Sequence, residues 1–133
     1  MLRATRREIE RSYRTHLVRC NPCVSTSERL LLFYAVECGL KALIMQSSRI
    51  DNYPDLPEEL QIAHDIREGL KAVYAPAKLQ VRTVMTKHGQ APQEAVPPED
   101  LHQAFRYGIP IEAEADVAAD LQRVMEWLKE RLG

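Results

Sequence analysis

The stretch Glu28-Arg-Leu-Leu-Leu-Phe-Tyr-Ala-Val-Glu-Cys-Gly-Leu-Lys-Ala-Leu-Ile-Met45 decides the fold. It has helical length, carries no proline and is apolar almost all the way round. Such a helix is normally enclosed by other elements rather than laid on a surface. Ser25, Thr26 and Ser27 stand just before it, and their side-chain oxygens can accept from the free N–H groups of its first turn. Gly39 disfavours the helix by about 1 kcal/mol relative to alanine, and a close helix crossing would account for it. Glu37 and Lys41 are spaced i, i+4 and can pair on one face. Their charges interrupt the apolar run, so a membrane span is not expected.

Working outward, about Leu2 to Arg19 reads as a helix with Leu2, Ile9, Tyr13 and Leu17 near one face. Arginines occupy most of its remaining surface. Asn21-Pro22 ends it, because proline disfavours helical geometry in the residue before it. After the central helix, Ser47 to Pro57 reads as a loop, with Pro54 and Pro57 as its markers. The pattern predicts a third helix over Glu58 to Tyr74, with Leu60, Ala63, Ile66, Leu70 and Val73 as its apolar stripe and Pro76 beyond its end. Residues 77–100 carry mixed signals: Leu79, Val81 and Val84 suit a short strand or a helical turn, and His88-Gly89, Pro92, Pro97 and Pro98 suit a surface excursion. Pro98-Glu99-Asp100 opens a short helix to about Tyr107, closed by Gly108 and Pro110. A last helix runs from about Ala113 to Leu132, with Val117, Leu121, Val124, Met125 and Leu128 inward.

These elements predict an all-α fold: an antiparallel bundle of about five helices around the central apolar helix. The alternative is the same bundle with a small β-hairpin near residues 78–87. The length of 133 residues fits a single domain with its own core. The net charge of -1 argues against a general nucleic-acid coat or a protein drawn strongly to membranes. Charge is nevertheless segregated. Arg3, Arg6, Arg7, Arg11, Arg14 and Arg19 crowd the first segment, and Glu112, Glu114, Asp116 and Asp120 the last. The two ends are expected to pair with each other or with a partner. No export signal is visible, and Cys20, Cys23 and Cys38 are an odd number, so reduced thiols and a cytoplasmic location are expected.

Three motifs, in order, carry a resemblance. Leu32-Phe-Tyr-Ala-Val-Glu-Cys-Gly-Leu-Lys-Ala-Leu43 resembles the aromatic-rich second helix of HEPN (higher eukaryotes and prokaryotes nucleotide-binding) proteins. Ala63-His-Asp-Ile66 resembles that family's His-Asp-apolar element, and Phe105-Arg-Tyr-Gly108 its Arg-Tyr region. The resemblance spans roughly Ser27 to Leu132. It implies an all-α bundle, often a homodimer, working in defence or toxin–antitoxin systems with a protein partner from the same operon. It also implies binding of RNA or nucleotide, and in many members metal-independent endoribonuclease activity with no cofactor. The alternative it leaves is a non-catalytic, antitoxin-like subunit.

In the nuclease members an Arg is followed four to six residues later by a His. Arg can hold the scissile phosphate, and His can move the proton between the ribose hydroxyl and the leaving oxygen. This chain departs from that pattern, because Arg106 has no such His downstream. Two substitutes are available. His102 and Arg106 are i, i+4, in reversed order, and are the leading catalytic candidates. Arg11 and His16 have the family spacing but lie upstream of the family-like core and point about 140° apart on an ideal helix. Glu37, Lys41, His64, Arg67 and Tyr107 are the candidate binding residues. Glu37, if buried, needs a cationic partner, and His64 and Arg106 are both on offer. Such a cluster can be a site or a structural bolt, and the sequence leaves both open. No metal is expected: Cys20-Asn-Pro-Cys23 with His16 falls short of four ligands, and Cys38 reads as a small hydrophobe.

Overall fold

The computed structural model describes residues 4–20, 24–87 and 92–132. These form five α-helices and one two-stranded antiparallel sheet, so the all-α bundle with a small hairpin is the observed architecture. Helix α1 spans Arg6–Arg19 and α2 spans Thr26–Ser48. Both begin with a reciprocal cap. Glu8 N–H donates to Thr5 Oγ1 while Thr5 N–H donates to Glu8 Oε1, each at 3.2 Å. Ser25 and Glu28 repeat the arrangement at 3.1 and 3.0 Å. Each box satisfies two donors that a helix start leaves free.

Helix α2 is the centre. Leu32, Phe33, Ala35, Val36, Leu40, Ala42 and Met45 are completely buried, and α1, α3, α4 and α5 all pack on it. By length and composition α2 is apolar enough to cross a membrane, with a mean hydropathy of 1.4. Here most of that surface is covered by the other helices. Gly39 marks the close crossing that its presence predicts. A Cβ there would stand 2.9 Å from Leu128 Cδ1 of α5 and 3.1 Å from the Tyr13 ring of α1.

The third helix is shorter than its pattern predicts. Glu58–Leu60 forms one 3-10 turn, the chain then breaks, and α3 covers only Ile66–Ala72. Ala63 has φ +48°, which is incompatible with a continuous right-handed helix. Asp65 restarts the chain as an N-cap, accepting from the N–H groups of Arg67 and Glu68 at 3.1 and 3.3 Å. Ala63 is consequently exposed and leaves the predicted stripe, while Ile62, Ile66 and Leu70 are buried. The loop expected at 47–57 also differs: α2 runs on to Ser48, and Tyr53–Asp55 makes a 3-10 turn.

The hairpin lies later than expected. Strands β1 (Val84–Met85) and β2 (Ala95–Val96) pair with Val84 opposite Val96 and Met85 opposite Ala95. Only the first arm falls within 78–87. A bridge from Thr86 to Ile111 adds a third segment on the other side of β1. His88 and Gly89 lie outside the described residues. Helix α4 (Leu101–Tyr107) follows a 3-10 turn at Pro98–Asp100 and ends at Gly108, φ +64°, in the left-handed cap its sequence predicts. Helix α5 (Glu114–Leu132) buries Val117, Leu121, Val124, Met125 and Leu128, as its periodicity predicts.

Among the described residues, the basic and acidic ends do not pair with each other. The acidic side chains of α5 instead meet arginines outside α1, including Arg123 of α5 itself. Arg29 pairs with Glu114. Asp120, buried at 3% exposure, accepts from Arg82 through its backbone N–H (3.1 Å), Nε (2.8 Å) and Nη2 (3.1 Å), and also from Arg123. This fastens the irregular chain before β1 to α5. Burial raises the Asp120 pKa, but the hydrogen bonds and charge of Arg82 outweigh it and leave the group below its ordinary value.

Candidate functional site

A polar and aromatic seam runs along one side of α2, through Phe33, Tyr34, Glu37 and Lys41. Glu37 is its centre. Its side chain is 6% exposed, and its Oε2 stands 2.8 Å from His64 Nδ1 and 3.7 Å from Lys41 Nζ. The His64 approach is off the ideal hydrogen-bond line, so the contact is chiefly electrostatic. Lys41 Nζ also stands 5.1 Å over the Tyr53 ring. Burial pushes the Glu37 carboxyl up from its ordinary pKa, with Lys41 and His64 pulling the other way.

The helix break explains how His64 reaches Glu37. Ala63 in the left-handed region and Asp65 in its cap turn the chain, and the His64 ring lies back toward α2. The ring remains 47% exposed. Its other face stacks on His102 of α4, with centroids 4.0 Å apart and planes inclined by 27°. His102 in turn lies 5.6 Å from Phe33. It is 7% exposed, so it is a packed ring between two others. Burial, then His64, then Arg106 hold its pKa below the ordinary value, which makes it a neutral imidazole near pH 7.

Arg106 takes a different place from the one expected. It does not meet Glu37; its guanidinium donates to the Tyr34 hydroxyl and also interacts with Tyr107. Arg106 and Tyr107 are exposed at the end of α4. Tyr34 links a second expected residue, because the His16 ring lies 5.8 Å from its ring. Burial, with help from Arg19, lowers the His16 pKa. Arg11 points to solvent on the far side of α1, so Arg11 and His16 do not converge. Arg67 is also elsewhere engaged: its Nη2 donates to both Glu99 carboxylate oxygens at 2.5 and 2.7 Å. It joins α3 to the turn before α4 and does not pair with His64.

The structure therefore brings together Glu37, Lys41, His64 and His102, with Arg106 one turn beyond His102. It separates Arg11, and it diverts Arg67. Tyr34, Phe33, Tyr53 and Glu99 belong to the same neighbourhood and were not singled out from sequence. Among the described residues, no group of three or more His, Cys, Asp or Glu side chains is placed to hold a metal ion. Cys23 lies outside the described residues; Cys20 is buried, and Cys38 contacts Ser12 Oγ at 3.5 Å.

Chemically, His64 is the imidazole best placed to move a proton. The Glu37 carboxyl occupies the Nδ1 side of the ring at 2.8 Å, which leaves Nε2 as the nitrogen to act as a base. Lys41 and Arg106 supply positive charge at either end of the seam. The chain matches no protein-family model, no curated protein and no solved structure.

Proposed function

We propose that this chain is a HEPN-like, RNA-directed protein that cleaves RNA without metal, with His64 as the proton-transfer residue and Arg106 as the phosphate-holding residue. The observation that carries this reading is the half-exposed His64 ring set against buried Glu37 and stacked on His102, with Arg106 exposed on the same helix as His102. His102 itself is too enclosed to reach a substrate, so its part is to hold His64 by stacking.

In this reading Nε2 of His64 takes the proton of a ribose 2′-hydroxyl. The 2′-oxygen forms a bond to phosphorus while the P–O5′ bond breaks, and the departing 5′-oxygen gains a proton from water. The products are a 2′,3′-cyclic phosphate and a 5′-hydroxyl. Arg106 stabilises the charge that grows on the phosphoryl oxygens. Tyr34 fixes its guanidinium. A homodimer, or a complex with a partner from the same operon, is the assembly this reading expects, and light scattering tests it.

The test is incubation of purified protein with RNA in EDTA. Cleavage that is lost in His64→Ala and Arg106→Ala supports the proposal, and 3′-end analysis should find the cyclic phosphate. A second reading, a non-catalytic subunit, is favoured by the burial of Glu37 and by the enclosed His102, which also suit a structural bolt. It predicts that both variants alter stability or assembly and that the wild type leaves RNA intact.

A further inference from the structure

The outward face of α1 is unlike the rest of the surface. Arg7, Arg11, Arg14 and Val18 follow one another at i, i+4, i+7 and i+11, which puts them in one line along the helix. All four are exposed, Val18 to 75%. The line faces away from Ile9 and Tyr13, the buried side of the helix. Arg7 and Arg14 are about 10 Å apart along the axis.

These charges are unbalanced. None of Arg7, Arg11, Arg14 or Arg19 forms an ion pair among the described residues. Of the two nearby carboxylates, Glu10 pairs instead with Arg6 at 3.5 Å, and Glu8 is held in the Thr5 cap, which leaves it only a longer-range attraction to Arg11. Like charges at i, i+3 and i, i+4 oppose helix formation, so the row works against the fold it belongs to. Every basic residue in α1 apart from His16 is an arginine and none is a lysine. Guanidinium groups match phosphate geometry in a way that ammonium groups do not.

We infer that the Arg7–Arg11–Arg14 row is a docking surface for the phosphate backbone of RNA, separate from the seam on α2. This rests on the RNA-directed reading above and adds to it where the strand is held outside the reacting centre. Charge complementarity selects the occupant: three unpaired guanidinium groups in a straight row face a chain of evenly spaced anions. His16 lies on the other side of α1, against Tyr34 of α2. A strand bound on the row therefore needs to pass over an end of α1 to reach Arg106.

The test is fluorescence anisotropy with a labelled single-stranded RNA, comparing wild type with the triple variant Arg7→Gln, Arg11→Gln, Arg14→Gln. The exposed positions allow the variant to fold, which circular dichroism checks. The expected result is at least a tenfold loss of affinity. The slope of log K against log salt should fall by about 2, from about 0.7 per lost phosphate contact on a single strand. The Arg106→Ala variant should lose cleavage, and its salt slope should fall by no more than about 0.7, the effect of a single lost phosphate contact. Unchanged affinity and slope in the triple variant, with RNA still bound, overturn the row and leave the proposed function standing. Loss of binding in the triple variant of a protein that never cleaves RNA upholds the row and removes the catalytic part of the proposed function. A wild type that binds poly-glutamate through the row and ignores RNA overturns the RNA assignment altogether.

Discussion

Gly39→Ala is the substitution whose sign the packing decides. On an isolated helix the change would help, by about 1 kcal/mol. In this bundle the new methyl group would sit 2.9 Å from Leu128 Cδ1 and 3.1 and 3.2 Å from two carbons of the Tyr13 ring. Both neighbours are enclosed, Leu128 at 0% and Tyr13 at 3% exposure. Leu128 can turn its tip only by pressing on other core atoms, and the Tyr13 ring can move only with α1. Overpacking of this kind costs about 1–3 kcal/mol, so the net expectation is a loss of about 1 kcal/mol. Urea unfolding measures it as a lower midpoint with an unchanged slope. Shortening Leu128 to valine in the same chain should make the two losses less than additive, by at least about 0.5 kcal/mol. A Gly39→Ala protein more stable than wild type would refute the three-helix crossing at this position.

Further outcomes follow from the charged groups. Folded His102 has a lowered pKa, so its contribution is complete above the ordinary histidine value of 6.5 and is lost as pH falls through the folded value. Glu37, whose pKa is raised, has the opposite sign: its contribution is complete below 4.5 and is lost as pH rises through the folded value. Urea midpoints at pH 7.5 and 5.5 should show acid destabilisation that shrinks in His102→Phe, which keeps a ring on His64; an unchanged pH dependence would contradict the assignment. Asp120→Ala should destabilise more than Asp116→Ala or Glu126→Ala and should speed amide exchange at Arg82, whose N–H loses its acceptor; equal effects from all three would sink the anchoring role.

Periodicity made much of the bundle legible. Helix α2 is enclosed because its apolar residues cover every side, and Gly39 announced a close crossing, though not that α1 and α5 would be the helices that make it. The inward residues of α5 and the Gly108 cap of α4 also followed from spacing alone. The break at residues 61–65 was hidden because Ala63, not glycine, takes the left-handed conformation, and because Ile66 and Leu70 continue a helical spacing across it. Asp65 followed by Glu68 was the available signal, since an Asp three residues before a Glu is a helix start. The candidate site was half legible. Glu37 with Lys41 and His64 came from spacing and charge. The diversion of Arg106 to Tyr34 did not, because an aromatic residue on an apolar helix reads as core. Asp120 was masked by its acidic neighbours, and its burial depends on Arg82, which lies 38 residues away in sequence.

The most direct measurement is RNA cleavage in EDTA by wild type, His64→Ala and Arg106→Ala, each first shown to be folded by its unfolding curve. The account predicts 2′,3′-cyclic phosphate ends from the wild type and a rate at least tenfold lower in each variant. Intact RNA with the wild type, or equal cleavage by all three proteins, would contradict it.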